Sequence, residues 1–144
     1  MHLLDTDHMS LVARGGREGQ QILRRVSLLS PGEASVSIIS YEEQMRGWLA
    51  EIAAAHSVER QKARYGDLSR MLQHYCGTPI VPFDDAAVAI FQGLWLQKLR
   101  VGTMDMKIAA IALANDATLL TRNLRDFAKV PGLRAEDWSV PPGV

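Results

Sequence analysis

Apolar residues along this chain recur with two different periods. Short runs rich in apolar and β-branched residues at 2–5, 34–39, 80–83, 118–121 and 133–138 predict strands. Pro82 marks the third of these as an edge or a strand end. Between the runs, apolar residues return every three or four positions. Ile22, Leu23, Val26 and Leu29 predict an amphipathic helix over 20–29, and residues 9–13 a shorter one ahead of Gly15 and Gly16. Ser40 and Glu43 have capping-box spacing and predict a helix that runs through Trp48 and Ile52 to about residue 55. With a second long helix over 57–75 it makes a helical hairpin. Asp84 is expected to cap a helix reaching about residue 99, and Thr103 one over 104–114 that is apolar on nearly every side and therefore central. Residues 123–127 read as a short helical turn, and 141–144 as a frayed tail.

Strands that alternate with helices predict an α/β fold, a short and mainly parallel sheet of four or five strands covered on both faces, in one domain over 1–140. The composition agrees: 47% hydrophobic and 22% charged residues are ordinary for a globular protein. The 16 basic residues balance 16 acidic ones, which argues against a broad electrostatic nucleic-acid footprint and leaves room for a local one. Cys76 is the single cysteine, so neither an internal disulfide nor a cysteine-rich zinc site is open to the chain, and it is expected to pack as a small apolar residue. No apolar stretch has the length of a signal peptide core or a membrane span, so the expectation is a cytoplasmic protein away from the membrane.

The chemistry lies in acids that follow strands. Asp5 and Asp7 close the first strand, Glu43 lies at the start of the helix after the second, and Asp105 opens the apolar helix. Asn123 and Asp126 come just past the fourth strand, after Thr121 and Arg122. Each alone is explained by helix capping. As a set they share a rim, because helices in parallel α/β topology start at the carboxyl ends of the strands. Clustered carboxylates repel unless a cation joins them, and oxygen ligands without His or Cys select Mg²⁺ or Mn²⁺ over zinc. His2, His8, His56 and His74 have no metal-like spacing and are expected to pack or face solvent, and Trp48, Trp95 and Trp138 suggest no base-stacking platform.

Together, the Asp5-Thr6-Asp7 run, the stretch from Glu43 to Gly47, the stretch from Asp105 to Ala110 and the Thr121–Phe127 run resemble PIN-domain ribonucleases of the VapC toxin type. The resemblance spans nearly the whole chain and implies a three-layer α/β/α PIN-like fold. It implies an endoribonuclease of a type II toxin–antitoxin system that cuts RNA by a metal-activated water, with Mg²⁺ or Mn²⁺ held by three or four acids. It also implies a homodimer inhibited by a VapB-like antitoxin. By position, Asp5, Glu43 (four before Gly47) and Asp105 match the family's first three acids. The fourth place is shared between Asn123, a neutral oxygen donor, and Asp126. Thr6, Asp7 and Thr121 are expected to support the site, and Arg46 and Arg122 to meet RNA phosphates. Two alternatives stand beside this reading. The Asp5-Thr6-Asp7 form also suits a haloacid-dehalogenase-like phosphatase, although Met9 and the lack of a later Gly-Asp pair speak against it. Asn123 keeps open a binding module with a degenerate acid site.

Overall fold

The computed structural model describes residues 1–143. Val144, the end of the expected 141–144 tail, lies outside the described residues. Five strands form one sheet: β1 (His2–Leu4), β2 (Ala34–Ser37), β3 (Ile80–Val81), β4 (Thr118–Leu120) and β5 (Arg134–Glu136). Their order is β3-β2-β1-β4-β5 and every neighbouring pair is parallel. Seven helices complete the described fold: α1 (Thr6–Arg14), α2 (Arg17–Val26), α3 (Ile38–Ala54), α4 (Val58–Cys76), α5 (Asp85–Leu96), α6 (Thr103–Ala114) and α7 (Leu124–Phe127).

Alternation along the central strands divides the core in two, because successive side chains leave a strand on opposite faces. Leu3 and Leu119 pair in register and pack with Ile108 and Ile111 of α6 and Leu94 of α5. Leu4 and Leu120, the next register pair, pack on the other face with Ile22 of α2, Met71 and Tyr75 of α4, and Trp138. This gives the three layers expected. The apolar helix is as central as its composition demands, with Met106 and every residue from Ile108 to Ala112 buried. At the crossing of α1 and α2, Gly19 is required, since a Cβ there would collide with the Leu11 carbonyl.

The strand order positions the site. From β1 the chain winds outward through β2 to β3, then returns to place β4 on the other side of β1. Strand order therefore reverses between β1 and β4, and the crevice outside their carboxyl ends is where such folds bind ligands. Asp5 N–H donates to the Leu120 carbonyl at 3.0 Å, tying the two strand ends together at that point.

Several local expectations need correction. The cap of α3 is Ser37, whose hydroxyl accepts from Ser40 N–H at 3.1 Å, so the helix starts at Ile38 and the strand is shorter than 34–39. Ser40 and Glu43 thus form no capping box, and Glu43 sits a full turn inside the helix. Helix α6 begins at Thr103 itself, with Gly102 at the cap and no side-chain cap bond. The first helix is longer than 9–13 because Asp5, not a later residue, caps it through the His8 N–H at 2.8 Å. Cys76 is exposed at the end of α4 rather than packed. The hairpin of α3 and α4, the edge position of β3 and the Asp84 cap, which accepts from Ala87 N–H at 3.0 Å, are as expected.

Candidate functional site

Six of the residues singled out from sequence, four of them as candidate ligands, meet in one cavity of about 350 Å³ at the carboxyl end of the sheet. Asp5, Glu43, Asp105 and Asn123 line it, with Thr6, Asp7, Ser10, Ile108 and Phe127. Each arrives for a local reason. Asp5 is the first residue past β1, held by its cap of α1. Glu43 projects from α3, where Thr6 Oγ1 donates to its Oε1 at 2.8 Å. Asp105 lies in the first turn of α6. Asn123 follows β4, and its N–H donates to the fully buried Thr121 hydroxyl at 2.9 Å. Thr6 and Thr121 therefore position Glu43 and Asn123.

Electrostatics mark Asp105 as the strained member. Burial, followed by repulsion from Glu43, Asp5 and Asp126, pushes its carboxyl up to about 6. A carboxyl raised first by burial and then by neighbouring acids is a place where a cation is stabilised. Beneath the acids, Tyr75 has a buried hydroxyl with no hydrogen-bond partner among the described residues. Burial first, and then Glu43 and Asp5, drive its ionisation above the ordinary tyrosine range.

Asp126 is placed differently. It is half exposed and does not line the cavity. Asn123 Nδ2 donates to its Oδ2 at 3.1 Å, and Lys129 Nζ stands 3.1 Å from its Oδ1. These two donors hold its carboxyl below the usual range. Arg122 is also engaged. Its Nε and Nη2 donate to Asp7 at 2.6 and 3.0 Å, and Nη1 lies 3.3 Å from Glu18. The hydrogen bond to Asp7 raises the guanidinium above its ordinary range. Arg46 pairs with Glu42 one turn earlier on the exposed side of α3, at 2.6 Å.

The lining fits a hard divalent cation by donor chemistry, since every candidate ligand is an oxygen and neither His nor Cys lines the cavity. As the side chains stand, no three His, Cys, Asp or Glu residues among the described ones are close enough to share one ion. That spread is compatible with Mg²⁺, which keeps several waters and is commonly held by one or two carboxylates together with substrate phosphate.

Sequence reasoning missed Ser10 and the place of Trp48. Ser10 lies one turn after Thr6 on the same face of α1, a helical spacing that was legible. Its hydroxyl accepts from Gln44 Nε2 at 2.7 Å and links α1 to α3. Trp48 borders a second cavity of about 620 Å³ that shares Thr6, Ser10 and Glu43 with the first and is also lined by Arg14 and Arg70. Nothing in the spacing of the tryptophans signalled this.

A parallel α/β sheet with a crevice where strand order reverses binds its ligands at that crevice, and here acids line it. The chain belongs to the PIN domain family, whose model matches residues 3–133. That membership separates it from the haloacid-dehalogenase-like alternative. Over 145 residues it is 24% identical to "Ribonuclease VapC1" of Haemophilus influenzae, covering 96% of this chain and 98% of that protein. Over 60 residues it is 42% identical to the "tRNA(fMet)-specific endonuclease VapC" of Shigella flexneri, 38% of this chain and 46% of that one. Among solved structures, VapBC-1 from nontypeable Haemophilus influenzae superposes with a TM-score of 0.74 at 22% identity, over 96% of this chain and 98% of that one. VapBC2 from Rickettsia felis, bound to a DNA fragment from its promoter, gives 0.71 at 20% identity over 95% and 98%. These likenesses show the fold.

Proposed function

We propose that the protein is a metal-dependent endoribonuclease and the toxin component of a type II toxin–antitoxin pair, its partner a VapB-like antitoxin. The observation that carries the reading is the convergence of Asp5, Glu43, Asp105 and Asn123 on one crevice at the strand-order reversal. The PIN match and the full-length similarity to a ribonuclease support it.

Asp5, Glu43 and Asp105, with Asn123 or Asp126, would hold one or two Mg²⁺ or Mn²⁺ ions. A divalent cation bound there neutralises phosphate charge and lowers the pKa of water. Without such a cation the acids would repel an anionic phosphodiester, so their charge serves ion binding first and substrate only through it. Thr6 and Thr121 keep Glu43 and Asn123 oriented. The larger cavity gives the nucleotides beside the scissile phosphate room along α1, α3 and α4. Arg14, which makes no ion pair among the described residues, stands there as a phosphate contact. Arg122, tied to Asp7, steadies the rim and is only secondarily available to RNA.

Purified protein incubated with labelled RNA in Mg²⁺, Mn²⁺ or EDTA tests this. Cleavage that needs the metal and disappears in Asp5→Asn supports it. RNA binding without turnover under every condition would instead favour the degenerate binding module.

A further inference from the structure

Outside the residues already assigned, the group with the most unusual surroundings is His8. It lies in the first turn of α1, and its side chain is fully buried. A leucine would suit such a place. The imidazole nevertheless has three polar neighbours. Trp138 N–H donates to Nε2 at 3.2 Å, Asp137 Oδ1 stands 3.7 Å from Nε2, and Asp5 Oδ1 stands 3.5 Å from Nδ1. Nδ1 has no hydrogen-bond partner as it stands.

The Trp138 contact decides the protonation pattern. A backbone N–H only donates, so Nε2 must accept, and an imidazole nitrogen that accepts carries no proton. A neutral ring then has its proton on Nδ1. That proton faces Asp5, the acid that joins β1 to the crevice. The same Oδ1 oxygen already takes the His8 backbone N–H at 2.8 Å. The backbone N–H thus bonds this oxygen and the Nδ1 side of the ring stands 3.5 Å from it.

We propose that His8 is a positioning residue for the acid site: a neutral imidazole whose tautomer is set by the Trp138 backbone and whose Nδ1–H faces and orients the Asp5 carboxylate. The proposal rests on the reading of Asp5 as a cation ligand. It makes the segment after β5 part of the site. Trp138 is itself anchored, since its ring nitrogen donates to Glu136 at 2.7 Å, the Arg25 guanidinium lies 4.4 Å over its ring and the His2 ring packs 4.8 Å away. Groups that hold the ligands of a metal are comparable in effect to the ligands themselves when removed, commonly 10–100-fold in metal affinity.

Two measurements test this, neither using RNA. Long-range ¹H–¹⁵N correlation spectra of the metal-free full chain report the tautomer. A proton on Nδ1 is expected, and a proton on Nε2, or on both nitrogens at pH 7.5, overturns the proposal. The second is Mn²⁺ binding, followed by electron paramagnetic resonance, to wild type, His8→Asn and His8→Gln. The Asn amide nitrogen falls near Nδ1 and keeps the donor toward Asp5, but it loses the acceptor for Trp138. The Gln amide reaches the Nε2 position and does the reverse. His8→Gln is expected to bind Mn²⁺ about 10-fold more weakly and His8→Asn within about 3-fold of wild type, although His8→Asn should melt lower. Affinities that instead follow the melting temperatures would assign His8 a purely structural role and overturn the proposal. If wild type binds no Mn²⁺, the metal reading of the crevice fails by itself, and the tautomer still decides whether the ring faces Asp5 as proposed.

Discussion

Asp105 and Asp126 are both aspartates in the first turn of a helix at the same rim of the sheet, yet their surroundings move them in opposite directions. Asp105 opens a helix buried along most of its length, faces other acids and is raised to about 6. Asp126 opens a four-residue helix at the surface, bonds to Asn123 and Lys129, and is lowered. The comparison teaches that a helix-start acid becomes a site residue through what faces it. Asp105 is buried and faces like charges, which a proton or a cation relieves, while Asp126 already has its counter-ion.

The sharpest way to break the comparison is to neutralise each in turn. Asp105→Asn should lower metal-dependent RNA cleavage by on the order of 100-fold or more, and Asp126→Asn by less than about 10-fold. Single-turnover cleavage of a labelled RNA measures both, and equal losses would place Asp126 among the ligands. Converting the neutral member of the crevice comes next. Asn123→Asp should tighten Mn²⁺ binding several-fold and lower the metal-free melting temperature, since it adds another negative charge to a repulsive set; titration calorimetry and melting curves report the two.

The acidity difference predicts opposite pH responses. A carboxyl raised in the folded state destabilises the fold as pH rises from its unfolded value near 4 through about 6, and the penalty is absent below that window. Metal-free protein should therefore gain stability on going from pH 7 to 5 through Asp105. The gain is about 1 kcal/mol once the half-buried position is discounted for solvent screening. Asp105→Asn should flatten that dependence, and saturating Mg²⁺ should remove it; thermal melts at both pH values in EDTA and in Mg²⁺ test this. Asp126 has the opposite sign. Its pairing stabilises the fold above the unfolded carboxyl value and is lost as pH falls through its lowered folded value. The smallest effect is expected of Lys129→Ala, which frees Asp126 at the surface and should leave the melting temperature almost unchanged, as exposed pairs contribute little. A large rise in Mn²⁺ affinity in that variant would mean that Asp126 had been held back from the crevice.

Much of this was legible beforehand, and the reasons are particular. Leu3, Leu4, Leu119 and Leu120 read as strands because two apolar faces in succession need both sides of a sheet covered. The apolar run through Ile108 and Ile111 could only be central. Asp5 and Asp105 were legible because an acid abutting such segments has nowhere to go but the rim. Glu43 was legible as an acid following the second strand and by its place four before Gly47, and the capping box that would have explained it without chemistry does not form. Ser40 and Glu43 have the spacing of a cap, but Ser37 already occupies that role one turn earlier, and Glu43 is left free to meet Thr6 across the crevice. Thr103 failed as a cap in the same way, because the helix had already begun at Thr103, with Gly102 at its cap.

The sequence by itself determined the alternation of elements, the two-sided core and the acids at the strand ends, because hydrophobic period and chain direction act locally. Tertiary structure decided the partners. Whether Asn123 or Asp126 lines the crevice, whether Arg122 meets Asp7 or solvent, and which nitrogen of His8 is left facing Asp5 depend on groups up to 130 residues apart. Hydrogen bonds and charge pairs act over a few ångströms in space, and no periodicity along the chain records which distant group will come within that reach.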